Sequence, residues 1–146
     1  MPEFKYKIIS ELNLIIDCYS GILTLKDVLM FKGEQTKNSL WNPTYNTLAD
    51  MRQSNIQFSE EEIQKLANYQ ITDERWSSER KTASLTNDAG HIVFETMFNL
   101  LKPKNSKVGV RAFSTLEASL NWLNIDLINM ERISDILAEL NPDHEP

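Results

Sequence analysis

Five side chains that could bind a partner follow one predicted strand and open the next predicted helix: Asp50, Arg52, Ser59, Glu60 and Glu61. In α/β sheets, binding groups usually sit beyond strand ends and at helix N-termini. Carboxylates, a guanidinium and a hydroxyl can recognise a polar partner, whereas covalent catalysis also needs an activated nucleophile. The spacing therefore predicts a recognition edge, at which these residues bind a partner or a ligand.

The same residues have a structural interpretation, which the sequence leaves open. Asp50 and Arg52 can pair with each other at the sheet edge. Ser59 has Glu62 three residues later, the spacing of a capping box, in which each side chain accepts a hydrogen bond from the other residue's backbone N–H. The acidic residues that follow Ser59 would then only complement the positive end of the helix dipole.

Trp41 is a separate candidate because it lies in a segment with loop chemistry, residues 38–45. It is either an exposed anchor for a membrane or a partner, or a side chain that folds back over the first helix. Further along the chain, Lys102, Lys104 and Lys107 form a basic loop that either approaches an anionic surface or is simply solvated.

No constellation for catalysis or metal binding stands out in the sequence. The only cysteine, Cys18, lies in an apolar alternation that predicts a small core residue, and His91 and His144 lack partners at ligand spacing. The four glycines lie too far apart to build a phosphate-binding loop. We therefore predict a protein that is not an enzyme and that has no metal and no cofactor.

Composition bounds the domain count and the class of partner. A chain of 146 residues that is 41% hydrophobic suits one domain with a sizeable core. A net charge of -6 argues against nucleic acid as a partner, since phosphate neutralisation needs a clustered basic surface. No apolar window predicts a transmembrane segment, no secretory leader is visible, and a lone cysteine fits a reducing compartment. We expect a cytoplasmic protein, with peripheral contact at the membrane as the alternative location.

Hydrophobic periodicity supplies the elements that must position these residues. Alternation predicts two opening strands joined by a hairpin turn, and apolar stripes preceded by capping residues predict helices between the later strands. The third strand is predicted to end between Asp50 and Arg52. A last segment, residues 126–140, carries a heptad-like seam from Met130 to Leu140, so it either packs on its own domain or pairs with a second copy in a homodimer. The predicted order is β-β-α-β-α-β-α-β-α with an added C-terminal helix.

Four segments between Phe4 and Leu123 match the pattern of a known fold family. They are Leu14–Asp17 with the turn at Gly21, Asp50–Arg52, Phe58–Glu61 and Phe113–Leu123. Together with the order of elements, they make the chain resemble the STAS domain, the fold of the anti-sigma-factor antagonists, and more closely its SpoIIAA-like relatives. The resemblance implies an α/β fold with a mixed central sheet and helices packed on it.

The anti-sigma-factor antagonists carry a phosphorylated serine at the start of their second helix, and the resemblance implies a serine at the same place in this chain. This chain has Glu60 and Glu61 where that serine is expected, without the glycine that follows it, and Ser59 is the only hydroxyl at the junction. The chain is therefore similar to a branch that lacks the usual phosphoacceptor motif, and its recognition edge is predicted to be acidic at all times.

The resemblance favours a non-catalytic, regulatory protein-interaction module of bacterial type, whose protein partner meets the recognition edge. The alternative is a carrier of a lipid or small apolar ligand with peripheral membrane contact, because SpoIIAA-like domains resemble CRAL-TRIO lipid-binding folds. The predicted organisation is a domain over residues 1–124, an added helix over residues 125–140 and a disordered tail over residues 141–146.

Overall fold

A computed structural model describes residues 2–76 and 78–141, with the side chains of residues 70–72 excepted. The strands are β1 (Glu3–Ile9), β2 (Leu14–Leu23), β3 (Asn46–Ile56), β4 (Arg80–Leu85) and β5 (Val108–Phe113). The helices are α1 (Leu25–Gln35), α2 (Glu60–Thr72), α3 (Ala89–Leu101), α4 (Leu116–Trp122) and α5 (Met130–Leu140), with short 3-10 turns at Ser10–Leu12 and Leu127–Asn129. The predicted order of elements is confirmed.

The five strands form one mixed sheet in the order β1-β2-β3-β4-β5. β1 pairs with β2 in antiparallel fashion, and β2 to β5 are parallel to one another. Connections between neighbouring parallel strands are right-handed almost without exception. Because the three successive connections all step in the same direction across the sheet, they place α1, α2 and α3 on the same face.

The opposite face of the sheet carries α4 and α5 and the larger apolar core. Alternate residues of β2 point into it, among them Leu14, Ile16 and Cys18, since successive side chains of a strand point to opposite faces. The seam of α5 packs on this face through the buried side chains of Ile133, Ile136 and Leu137. The apolar face of α5 is therefore buried within its own chain.

The sheet face under α1, α2 and α3 is divided between two smaller apolar clusters. One forms around Tyr19, Leu23 and Met51 with α1, and the other around Ile63 and Phe98 between α2 and α3. Polar residues interrupt this face between the two clusters, which is where the cavity described below lies.

One predicted boundary is wrong. β3 does not end between Asp50 and Arg52 but continues to Ile56, because its second half keeps pairing with β2 as far as Leu23. The tail predicted to be disordered over residues 141–146 begins with a placed residue, Asn141, whose side chain donates a hydrogen bond to Asp50 Oδ2 at 3.1 Å. The rest of that tail, residues 142–146, lies outside the described residues.

Candidate functional site

Asp50 and Arg52 lie within β3 and are bonded to each other. Arg52 Nε donates to Asp50 Oδ1 at 2.9 Å and Arg52 Nη2 donates to Asp50 Oδ2 at 2.8 Å. The Asp50 side chain is 1% exposed, and its Oδ2 atom also accepts a hydrogen bond from the side-chain amide of Asn141. This geometry ties the end of α5 to the sheet, and a binding role for the pair stays a prediction.

The residues that open α2 form the predicted capping box. Glu62 N donates to Ser59 Oγ at 3.1 Å, and Ser59 N donates to Glu62 Oε1 at 3.1 Å. Glu60 and Glu61 are exposed and border a shallow groove between α2 and the end of α3 at Leu101. Ser59 therefore acts as the helix cap, while the two glutamates are exposed to solvent and Glu61 pairs with Lys65 at 3.8 Å.

Trp41 is half-buried, and its ring packs edge-on against Trp76 with the ring centroids 5.4 Å apart. It folds back onto the connection between α2 and β4, where it covers Trp76. In the basic loop, Lys102 donates to the carbonyl of Val108 at 2.9 Å, and Lys104 is exposed.

A cavity of about 130 Å³ lies between the sheet and the layer of α1, α2 and α3. An engineered cavity of about 150 Å³ in another protein binds benzene, so this volume suffices for a small ring or a short chain. The apolar part of its wall includes Tyr19, Leu23, Leu66, Phe94, Phe98 and Val110. The polar part includes Asp17, Lys32, Thr47, Trp76, Arg80 and Glu95.

Strand alternation brings polar side chains to this cavity from the middle of the sheet. Arg80, Thr82 and Ser84 are alternate residues of β4 and all line it, whereas Ala83 and Leu85 point to the other face. Thr47 lines it from β3 and Asp17 from β2. One face of three neighbouring strands therefore supplies a polar floor to a chamber with apolar walls.

Asp17 is the centre of a closed polar cluster at one side of the cavity. Lys32 Nζ donates to Asp17 Oδ2 at 2.7 Å, and Gln35 Nε2 donates to Asp17 Oδ1 at 2.6 Å. Lys32 Nζ also donates to Gln35 Oε1 at 2.6 Å. Burial lowers the pKa of Lys32, although the neighbouring carboxylate opposes this shift. The Lys32 charge is thus compensated by Asp17.

Arg80 is a buried cation without such a partner. It is 6% exposed, and within the part of the chain that the structure describes no carboxylate forms an ion pair with it. Its guanidinium carbon lies 4.9 Å from the centroid of the Trp76 ring, a favourable cation–π contact. Burial lowers the pKa of Arg80 to about 10, so the side chain is still protonated at neutral pH.

Glu95 reaches the cavity from α3 and is 5% exposed. Its Oε1 lies 2.6 Å from Ser84 Oγ, and burial raises the pKa of Glu95 to about 7. Burial disfavours the charged carboxylate, and one hydroxyl compensates only part of that cost. On the acid side of neutral pH, Glu95 is therefore an uncharged hydrogen-bond donor.

Four polar atoms around the cavity are buried and have no hydrogen-bond partner among the described residues. They are Thr47 Oγ1, Trp76 Nε1, Arg80 Nε and Glu95 Oε2. Buried polar groups in native proteins are nearly always satisfied, and each exception calls for an explanation. Two further such atoms, Trp41 Nε1 and His91 Nε2, belong to residues that do not line the cavity. The concentration of the other four around one chamber makes it the candidate site for a ligand.

The other reactive side chains are not arranged for chemistry. Burial raises the pKa of Cys18 to about 12, so its thiol stays protonated. His91 is buried with Nδ1 at 2.5 Å from Thr86 Oγ1, and burial lowers its pKa. Over residues 2–76 and 78–141, no group of three or more metal-ligating side chains is found. Nor does any helix in the same ranges have the length and apolarity needed to cross a bilayer.

The cavity residues were not among the predicted site residues, but two of them leave a signal in the sequence. Asp17 interrupts the apolar run that begins at Leu14, and Glu95 follows Phe94 on the face of α3 that carries Phe98. A charge on a stripe that must be buried indicates a paired or functional group. Arg80 and Trp76 carry no comparable signal, because their neighbours in the sequence are polar.

The mixed sheet with helices on both faces and an opening hairpin has a SpoIIAA-like architecture. A solved structure that the chain resembles is an uncharacterised protein of the DUF3478 family with a SpoIIAA-like fold, from Shewanella loihica PV-4. The match has a TM-score of 0.52 and 14% sequence identity, and it covers 84% of this chain and 93% of that one. At this identity the likeness establishes the fold alone. No family model matches the sequence, and no curated protein matches it.

Proposed function

We propose that this protein is a non-catalytic STAS-type module that binds a small ligand between its sheet and α1, α2 and α3. The observation that carries the proposal is the cavity of about 130 Å³ with four buried, unpartnered polar atoms around it. Ligand sites are typically mostly apolar chambers with a few polar groups that fix orientation. Of the two functions predicted from the sequence, this geometry favours the ligand carrier.

The non-catalytic part of the proposal follows from the character of the groups that line the cavity. Arg80 and Trp76 are donors. The Ser84 hydroxyl donates to Glu95 Oε1 at 2.6 Å, but Glu95 Oε2 has no partner among the described residues that would orient the carboxyl group. Nucleophilic catalysis needs a nucleophile within hydrogen-bond reach of a base that a third group orients. The lining supports recognition of a ligand and its shielding from water.

Filling the cavity tests this proposal. Thr82 lines the cavity from β4, so Thr82→Phe should occupy the space that a ligand needs. Toluene is a suitable neutral probe, and we expect it to raise the melting temperature of the wild-type protein because a ligand that binds only the folded state stabilises it. In Thr82→Phe the affinity for toluene should fall at least about tenfold, as expected from steric exclusion worth about 1.4 kcal/mol or more.

The matched control is Thr96→Phe, which adds the same ring at an exposed position of α3. It should bind toluene like the wild type. Wild-type protein that shows no stabilisation by toluene, or equal stabilisation of both variants, would contradict a ligand-binding cavity.

A second candidate function is a regulatory protein interaction through the outer face of α3. Ile92, Val93 and Leu100 are 51%, 57% and 78% exposed, and no exposed side chain of α3 is charged. Glu60 and Glu61 of the predicted recognition edge border a groove at Leu101, the residue that follows Leu100. An apolar centre with a rim that carries charge is typical of protein interfaces.

Leu100→Glu tests the second candidate in protein purified from its own host and weighed by native mass spectrometry. We expect the substitution to abolish a stoichiometric protein complex, whereas Ile128→Glu, at a position 85% exposed elsewhere on the surface, should leave it intact. A complex that survives Leu100→Glu would contradict this surface. Binding of the wild type to anionic vesicles that Leu100→Glu abolishes would instead identify a membrane as the occupant.

A further inference from the structure

The charges around the cavity leave one positive charge without a partner. Lys32 and Arg80 are cationic and Asp17 is anionic, while Glu95 is uncharged on the acid side of neutral pH. Asp17 forms an ion pair with Lys32 at 2.7 Å and, without a direct ion pair, also favours the charged form of Arg80. One carboxylate therefore serves two cations, and a net positive charge remains beside Arg80. A buried charge is costly unless it is paired. A ligand that carries one negative charge would complete the pair.

The unpartnered atoms point to the same conclusion by an independent route. Trp76 Nε1 and Arg80 Nε are donors only, and the hydroxyl of Thr47 and the protonated carboxyl of Glu95 can also donate. A ligand that satisfies this set must bring acceptors. A carboxylate brings two acceptor oxygens and accepts the planar guanidinium of Arg80 particularly well.

The size and the remaining wall of the cavity define the rest of the ligand. The wall beyond the polar floor is apolar and aromatic, with Phe94, Phe98 and Leu66 among its residues. A volume of about 130 Å³ suits a single ring or a short chain. A doubly charged phosphate would exceed the one uncompensated charge and would lie near the carboxylate of Asp17.

We infer that the ligand is a small apolar monocarboxylic acid, whose carboxylate lies at Arg80 and Trp76 and whose ring or chain lies among the apolar side chains beneath α2 and α3. This inference rests on the proposed ligand-binding function and adds the charge and the orientation of the ligand.

Isothermal titration at about pH 6, where Glu95 is uncharged, tests the inference with three probes of similar shape. Phenylacetate carries a carboxylate, phenylacetamide is its neutral counterpart, and phenethylamine is a cation. We expect phenylacetate to bind the wild type about 10- to 100-fold more tightly than phenylacetamide, the range typical of a hydrogen bond to a charged group. Phenethylamine should bind most weakly. Equal affinities for the acid and the amide would overturn the inference.

Substitutions at the polar floor locate the carboxylate. Arg80→Gln should remove the preference for phenylacetate while leaving the affinity for phenylacetamide within about twofold, and Arg80→Lys should retain part of the preference. Trp76→Phe keeps a ring but removes the Nε1 donor, so it should weaken phenylacetate more than phenylacetamide. The wild-type selectivity and Trp76→Phe decide the question even where Arg80→Gln fails to fold.

The outcomes also separate this inference from the proposed function. If toluene and phenylacetamide bind without any preference for phenylacetate, the proposal of a ligand-binding cavity is supported and the inference of a carboxylic acid ligand is contradicted. A preference that survives both Arg80→Gln and Trp76→Phe would place the carboxylate elsewhere and overturn the assignment. If toluene and all three probes fail to bind, the proposed ligand-binding function is contradicted as well.

Discussion

Replacing Glu95 with glutamine should raise the free energy of unfolding at pH 9 by about 3 kcal/mol, because the buried carboxylate is a cost that the folded state bears at that pH. Burial raises the pKa of Glu95 from 4.5 to about 7. The folded protein therefore binds a proton at Glu95 more tightly than the unfolded chain does. Glutamine keeps a polar group near Ser84 without the charge.

The sign of the pH dependence follows from the same shift. Below pH 4.5 the carboxyl group is protonated in both states, and its contribution to stability is fully present. As the pH rises from 4.5 to about 7, only the unfolded chain ionises readily, so stability falls, and above about 7 the loss is complete. Glu95→Gln should remove this decline.

Urea denaturation of the ligand-free protein between pH 4.5 and pH 9 measures this effect. Glu117→Gln is the control, because Glu117 is exposed in α4 and its neutralisation should leave the pH profile close to that of the wild type. Parallel profiles for the wild type and Glu95→Gln would show that Glu95 is not the group that burial perturbs.

Removing Asp17 should produce the largest loss of stability, about 3 to 5 kcal/mol for Asp17→Leu, because it leaves the buried ammonium of Lys32 without its counter-charge. Lys32 Nζ lies 2.7 Å from Asp17 Oδ2, and the side chains of Asp17 and Lys32 are 1% and 15% exposed. Gln35 would lose its acceptor at the same time. The double variant Asp17→Leu/Lys32→Met should recover most of the loss, since replacing both partners by apolar groups is often neutral.

Denaturant unfolding of the two single variants and the double variant closes this cycle. An exposed comparison is available in the Lys37–Glu34 pair, whose side chains are 73% and 68% exposed. Lys37→Ala should change the free energy of unfolding by less than about 1 kcal/mol, as is usual for surface pairs. If Asp17→Leu cost as much in a Lys32→Met background as in the wild type, the two residues would not be coupled.

The order of elements was predictable because, along most of the chain, the hydrophobic periodicity and the helix-capping residues indicate the same elements. Phe94, Phe98 and Leu101 share one face of α3, and Ser59 with Glu62 forms the capping box that their spacing predicts. These signals are local, so one sequence suffices to detect them. The end of β3 was missed because Arg52 and the polar residues after it look like a loop, although pairing with β2 keeps them extended.

The cavity could not be predicted as a site, because its polar residues come from five different elements and the connection before β4. Asp17 and Arg80 lie in β2 and β4, which are not even neighbours in the sheet, and Glu95 reaches them from the helix layer. Sequence spacing carries no information about contacts between residues so far apart in the chain, since these contacts depend on the order of strands in the sheet and on the sheet face to which each side chain points. By contrast, the residues of the predicted recognition edge have local structural roles. Asp50 forms an ion pair with Arg52, Ser59 caps α2, and Glu60 and Glu61 are exposed.

Native mass spectrometry of the protein purified from its own host can reveal a bound ligand without any choice of probe, because it weighs whatever the folded chain retains. We predict a folded species heavier than the denatured chain by one small molecule, and loss of that added mass in Thr82→Phe. A folded species with the mass of the bare chain, or one that retains only a protein partner, would contradict this prediction.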